Sequence, residues 1–390
     1  MKKIKYGIIG AGTMAREHIL NISLIDNAEV VALADPHEDS LNQCKEILKT
    51  KVFCFKNHLE MIEKNIVDVY LISSPNFTHI EILKDVIKTK KHILVEKPLC
   101  TNTKDCLEIK KLTKDYPSVF WTAMEYRYMP PVSKFINEIH NNKIGDLKTL
   151  TIREHRFPFL KKVNDWNRFE ENTGGTLVEK CCHFFDLMRL IIQSKPLSVY
   201  ASGGQDVNHL DEVYNGKKPD IIDNAYVIVN FENGARSLLE LCMFAENSDM
   251  QEELVATGNK GKIETSVPSD DSGKTSSNIR IGMRDGKTHI ENIEVDKKIL
   301  EAGHHHGSTY YEHLAFLKAI ENNSDPEVSL EDGLIAVAVG EAAEQSIKQG
   351  RLINLDLLID LVLLIVLQPL PQQQQLNHLL MKPLDLNYFQ

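Results

Sequence analysis

Through residues 1–126 short apolar runs alternate with amphipathic stretches. IKYGIIGAG, EVVALAD, KVFCF, VDVYLISSP, HILVEKP and VFWTAMEYRY read as strands. TMAREHILNISLI, SLNQCKEILKT, HLEMIEKN, HIEILKDVIKTK and TKDCLEIKKLTKDY lie between them with helical spacing, as in Met14, His18 and Ile22. Such alternation predicts βαβ units and a parallel sheet covered on both faces. From residue 127 the period changes to two. LKTLTIREHRFPF, SVYASGGQDV, NAYVIVNFENGARSLLELCMF, QEELVATGNKGKIETSV, SNIRIGMRDG and HIENIEV alternate polar and apolar residues, with turns such as Glu232-Asn233-Gly234. That pattern predicts a mostly antiparallel sheet. The stretch GGTLVEKCCHFFDLMRLII is expected to form one helix packed on it. The fold class expected is therefore α/β: a doubly wound parallel sheet over 1–126, then an α+β domain with a large, mostly antiparallel open sheet over 127–355. One face of that open sheet could cover a partner sheet, so a homodimer or homotetramer is expected.

Residues 356–390 depart from both styles, being leucine-rich and then glutamine-rich. The apolar run Leu357–Leu367 contains Asp360 and is shorter than the ~20 residues a bilayer span needs. A dangling or partner-covered tail is expected, and no membrane contact. The chain's net charge of −10 would repel phosphate backbones, which argues against a nucleic-acid partner. The apolar part of the opening MKKIKYGIIGAG is too short for a secretory signal. Seven scattered cysteines, an odd number in a long chain, read as reduced thiols and a cytoplasmic protein.

Candidate chemistry collects where strands end. Gly10-Ala11-Gly12-Thr13-Met14-Ala15 is G-x-G-x-x-A between the first strand and helix. Gly10 permits the tight turn, Gly12 lets a pyrophosphate approach the backbone, and Ala15 permits close helix packing. The helix N-terminus at Thr13 and Met14 offers N–H groups to phosphate. Glycines also make plain turns, but between a strand and a helix the pattern matches the fingerprint of a Rossmann domain, so NAD(P) binding is expected. Asp35 ends the second strand 23 residues after Gly12. Its carboxylate can bind ribose hydroxyls and would repel a 2′-phosphate, which favours NAD over NADP; the same residue could simply cap the next helix. Ser74, Pro75, Asn76 and His79 follow the fourth strand, at the edge where ligands of such sheets bind. They could contact ribose or substrate, or form a turn with Asn76 as a cap.

The turn Glu96-Lys97-Pro98 occupies the same edge after the next strand. There Lys97 can donate to a substrate hydroxyl oxygen and Glu96 can accept from a hydroxyl, with Pro98 fixing the turn. The bland alternative is a surface salt bridge. In the expected helix Glu179 and His183 stand four apart on one face. His183 can take a hydroxyl proton, and Glu179 can orient its ring. Arg127, His155, Trp166 and Arg168 are candidate substrate contacts, although arginines more often pair with solvent or acids. Cys181-Cys182-His183 and His304-His305-His306 lack the ligand spacing of a metal clamp, so no metal is expected. The histidine loop could hydrogen-bond a hydroxylated substrate.

Gly10–Ala15, SSPNFTH, HILVEKPLC and TGGTLVEKCCHFFDLMR together resemble the glucose–fructose oxidoreductase / inositol dehydrogenase / rhizopine-catabolism family of NAD(P)-dependent oxidoreductases, from the N-terminus to about residue 355. The resemblance implies NAD-dependent oxidation of a secondary alcohol on a sugar, cyclitol or sugar derivative, with Lys97 and His183 as catalytic groups. The family usually has aspartate at the position of Glu179, and small or apolar residues at Lys180 and Cys181. The alternatives are a glycoside hydrolase that recycles bound NAD, a non-catalytic NAD-binding sensor, and a zinc hydrolase built on the histidines.

Overall fold

The computed structural model describes residues 3–269 and 272–366. Six strands, β1 (Ile4–Ile9), β2 (Ala28–Ala34), β3 (Phe53–Phe55), β4 (Val69–Ile72), β5 (His92–Glu96) and β6 (Phe120–Ala123), form a parallel sheet in the order β3-β2-β1-β4-β5-β6. Every residue of β4 and β6 is buried, which is why these strands read as continuous apolar runs. The order reverses between β1 and β4. At this switch point a crevice opens outside the carboxyl ends of the strands.

Nine strands make the second sheet: β7 (Leu147–His155), β8 (Pro196–Gly204), β9 (Asn224–Phe231), β10 (Arg236–Cys242), β11 (Met250–Gly258), β12 (Gly261–Pro268), β13 (Ser276–Met283), β14 (Thr288–Glu294) and β15 (Ile353–Asn354). Their order is β14-β13-β12-β11-β7-β10-β9-β8-β15. Among the described residues of this sheet only β7 and β10 pair in parallel. Leu150, Ile152, Val227, Leu239 and Leu254 point into the core, and Tyr200, Tyr226 and Ile228 on the opposite face are exposed.

The 20-residue helix Leu330–Gln349 is closed at its start by a reciprocal Ser329/Asp332 capping box. It binds the two halves together. A Cβ at Gly333 would lie 3.1 Å from Leu99 Cβ, beside the E-K-P turn, and one at Gly340 would lie 2.7 Å from the Leu177 carbonyl. The expected C-terminal tail joins the fold at its start: helix Leu355–Val366 buries Leu358 and Val362 and packs against helix Thr103–Leu112 and β8. The glutamine-rich part of that tail lies outside the described residues. Among the described residues no helix is long and apolar enough to cross a membrane.

Candidate active site

The turn after β1 has the geometry a dinucleotide needs. Gly10 has φ +91°, and a Cβ there would lie 2.5 Å from the Ser74 backbone. A Cβ at Gly12 would meet nothing within 4 Å, so the backbone before helix Thr13–Ser23 faces open space. Ala15 is fully buried in the helix–strand contact. Asp35 ends β2 with Oδ2 accepting Ala11 N–H at 2.7 Å and Oδ1 accepting His37 N–H at 2.8 Å. Its carboxylate is thereby held beside the glycine turn, with further lone pairs left for ribose hydroxyls. These residues fit an NAD(P) cofactor.

Beyond β4, Asn76 is buried and its Nδ2 has no protein partner. Ser74 shares its hydroxyl with Thr78, and Pro75 opens the turn. His79 points elsewhere: one ring nitrogen lies 2.9 Å from the Pro98 carbonyl and the other 3.0 Å from the Ser74 carbonyl. It pins the two loops together, with neither nitrogen left for a ligand.

Lys97 sits at the end of β5 and reaches the Glu179 carbonyl oxygen at 3.2 Å. Burial opposes its charge, but Cys182, Glu125, Glu96 and Glu179 together raise its pKa above the ordinary lysine value. His183 is 1% exposed and stacks flat on Tyr126, with ring centroids 4.1 Å apart. Burial first, then Lys97, Lys180, His305 and Arg156, hold its pKa well below the usual imidazole range. His183 is therefore a neutral imidazole at physiological pH.

The carboxyl beside His183 is Glu125, not Glu179. Glu125 Oε1 lies 3.4 Å from His183 Nε2. The expected single helix is two: Thr176–Glu179 and Cys182–Ile192. Between them the Cys181 N–H reaches back five residues to the Thr176 carbonyl, and this widened turn takes Glu179 and His183 off a common face. Glu179 borders Lys97, and burial pushes its carboxyl up to about 7. Burial, then Glu96, push Glu125 up to about 8. Glu125 lies two residues past β6, so the strand-end argument that singles out Lys97 applies to it equally.

Three expected substrate contacts are committed to other partners. Arg127 is buried in a two-pronged ion pair with Asp186 and donates to the Glu327 carbonyl. His155 lies on the opposite sheet face from inward-pointing Glu154, 3.2 Å from Glu240. Arg168 is buried and donates to Glu212 at 2.8 Å, fastening the connection between β8 and β9 to the segment after β7. Trp166, in that same segment, crosses the cleft and meets Phe77 edge-on at 6.1 Å. Lys180 donates to the Tyr126 hydroxyl at 2.5 Å and pairs with Glu154 at 2.8 Å, backing the ring that supports His183. His305 also tilts over Tyr126, at 5.1 Å.

Two family models match the chain: the oxidoreductase family's NAD-binding Rossmann fold over residues 4–124, and its C-terminal alpha/beta domain over residues 136–355. The chain is 28% identical to a myo-inositol 2-dehydrogenase of Thermotoga maritima, over 90% of this chain and 99% of that protein. It is 23% identical to an inositol 2-dehydrogenase of Rhizobium meliloti, again over 90% and 99%. The crystal structure of a probable dehydrogenase from Thermotoga maritima superposes with a TM-score of 0.73 at 27% identity, covering 90% of this chain and 99% of that one. A levoglucosan dehydrogenase in complex with NADH and levoglucosan shares the fold at TM-score 0.79 and 17% identity, covering 91% and 100%. With both family models matched in chain order and a crevice shaped for a dinucleotide, the chain belongs to the glucose–fructose oxidoreductase / inositol dehydrogenase / rhizopine-catabolism oxidoreductase family.

Proposed function

We propose that the chain is an NAD-dependent dehydrogenase acting on a secondary alcohol of a sugar, cyclitol or sugar derivative. The observation that carries this reading is a group of buried polar atoms left without protein partners around Lys97: His183 Nδ1, Glu125 Oε2 and Glu179 Oε2. Two of them are carboxyl oxygens and one is a neutral ring nitrogen. A ligand bearing several hydroxyl groups satisfies such a set, because each O–H donates to an acceptor and its oxygen accepts from an ammonium or a protonated carboxyl.

Bound NAD would supply the hydride acceptor, held by the Gly10–Ala15 turn and Asp35. Glu125 keeps its proton up to about pH 8; with that proton on Oε2, Oε1 accepts from His183 Nε2–H, which leaves Nδ1 as the base for the hydroxyl proton. Lys97, protonated, donates to the same oxygen and stabilises the negative charge that develops on it. Tyr126 holds the imidazole plane by stacking, and Lys180 and Glu154 hold Tyr126.

The test is a panel of polyols and sugars with NAD or NADP, followed by NAD(P)H absorbance. At least one polyol is expected to give turnover, with NAD preferred over NADP. Lys97→Ala and His183→Ala are each expected to lose about 100-fold or more in kcat/KM. Undiminished activity in either variant overturns the assignment, and equal use of NADP overturns the ribose role of Asp35.

A further inference from the structure

A column of buried hydrogen bonds leads away from the E-K-P turn. Glu96 Oε1 lies 2.8 Å from His18 Nε2, on the cofactor-side helix Thr13–Ser23. His18 Nδ1 lies 3.0 Å from His313 Nε2, on helix Ser308–Asn322. His313 Nδ1 lies 3.4 Å from the hydroxyl of Tyr6 on β1. The rings meet edge-on, at 5.1 Å for the two histidines and 5.5 Å for Tyr6 and His313. None of the four residues is more than 4% exposed.

The protons in this column have one consistent order. Burial, then His18, hold the His313 pKa well below the usual imidazole range, so its ring carries one proton. Tyr6 donates to His313 Nδ1, His313 donates from Nε2 to His18 Nδ1, and His18 donates from Nε2 to Glu96. Reversing the order would need a proton on Glu96, and although burial raises that carboxyl, its hydrogen bond to His18 and the charge there hold it below its ordinary value. With no member at the surface, the column cannot carry protons to solvent. It can only fix a charge. Glu96 Oε2 meanwhile accepts the Lys97 main-chain N–H at 3.1 Å, so both carboxylate oxygens receive defined donors.

We propose that His18 and His313 are positioning residues that hold Glu96 as an acceptor-only carboxylate at the root of Lys97, tying a helix of the second domain to the turn that carries the amine. The kinetic consequence rests on the dehydrogenase reading, whereas the effect on Lys97 does not. The groups acting on Lys97 are Cys182 and Glu179 from the segment after Gly175, Glu125 from the end of β6, and Glu96 itself. Lys162, from the segment after β7, also lies within its electrostatic reach. Removing the donor to Glu96 makes that carboxyl easier to protonate, weakens its hold on Lys97 and lowers the amine's titration midpoint.

The test compares His18→Gln, whose amide can keep the donor to Glu96, with His18→Asn, which reaches only toward His313. In His18→Asn, kcat is expected to fall at least tenfold while the NAD dissociation constant changes less than threefold. In His18→Gln, kcat is expected to recover to within about threefold of the parent. Equal kcat in the two variants, whether high or low, overturns the proposal, since a merely structural histidine would not separate them. If the parent oxidises no polyol, the dehydrogenase reading fails but this proposal is still decided. The resonance of 13C-methylated Lys97, assigned with Lys97→Arg, should titrate at lower pH in His18→Asn than in His18→Gln. The same midpoint in both refutes the column.

Discussion

Gly10 and Gly12 stand two residues apart and are needed for different reasons. Gly10 holds a left-handed φ and has the Ser74 backbone where a side chain would be. Gly12 has ordinary backbone angles and open space beside it. Gly10→Ala should therefore cost stability, about 2 kcal/mol or more from strain and clash together. Gly12→Val should leave the melting temperature within about 2 °C and weaken NAD binding at least tenfold, because the valine fills the approach to the backbone. Calorimetric melting and NAD titration of both variants separate the two effects. Loss of stability in Gly12→Val, with NAD affinity intact, would contradict this account. Local signals of this kind are legible in sequence because one turn determines them. The partners of Arg127 and His155 are not: Asp186 and Glu240 lie 59 and 85 residues away, and only the assembled fold says which acid each basic group meets.

Elements were legible where their period was regular. The central parallel strand β4 is buried along its whole length because both faces are covered, and β7 alternates because one face is not. The segment 176–192 was harder, since Lys180 and Cys181 have near-helical angles and interrupt the helix only through one five-residue hydrogen bond. That irregularity hid the exchange of Glu179 for Glu125 beside His183. The segment after β7 has no period at all, yet its Trp166 touches Phe77 across the cleft. An edge-on aromatic pair contributes about 1 kcal/mol, or roughly fivefold in an equilibrium. Trp166→Ala should weaken NAD binding by about that factor if the contact holds the segment over the cofactor. Phe77→Ala should do the same, and the double variant should add little to either. Additive losses by calorimetric titration would show that the two rings act separately.

At the scale of the molecule, the buried ionisable groups set how stability follows pH. Burial pushes Glu125 and Glu252 up to about 8, and Glu179 and Glu344 up to about 7, from an ordinary value of 4.5. Each keeps its proton in the folded chain at a pH where the unfolded chain has lost it, so stability falls as pH rises through that interval. Burial also pushes His79, His92, His183 and His313 below their ordinary 6.5. The unfolded chain protonates these first on acidification, so their contribution rises with pH up to about 6.5. The two sets oppose each other on the acid side, and from about 6.5 to about 8 the carboxyls act without the histidines. One carboxyl can contribute up to about 1.4 kcal/mol per pH unit there. The cofactor-free protein is therefore expected to melt at its highest temperature near pH 6.5 and several degrees lower at pH 8.5. Glu252→Gln tests the cause at a carboxyl that is none of the proposed reacting groups: Glu252 pairs in register with Glu154 on β7 and accepts a hydrogen bond from Gln251. Its amide carries no proton to lose, so the decline in scanning calorimetry should be shallower. A melting temperature that rises between pH 6.5 and 8.5, or an unchanged slope in Glu252→Gln, would mean that the buried carboxyls do not set the alkaline limit.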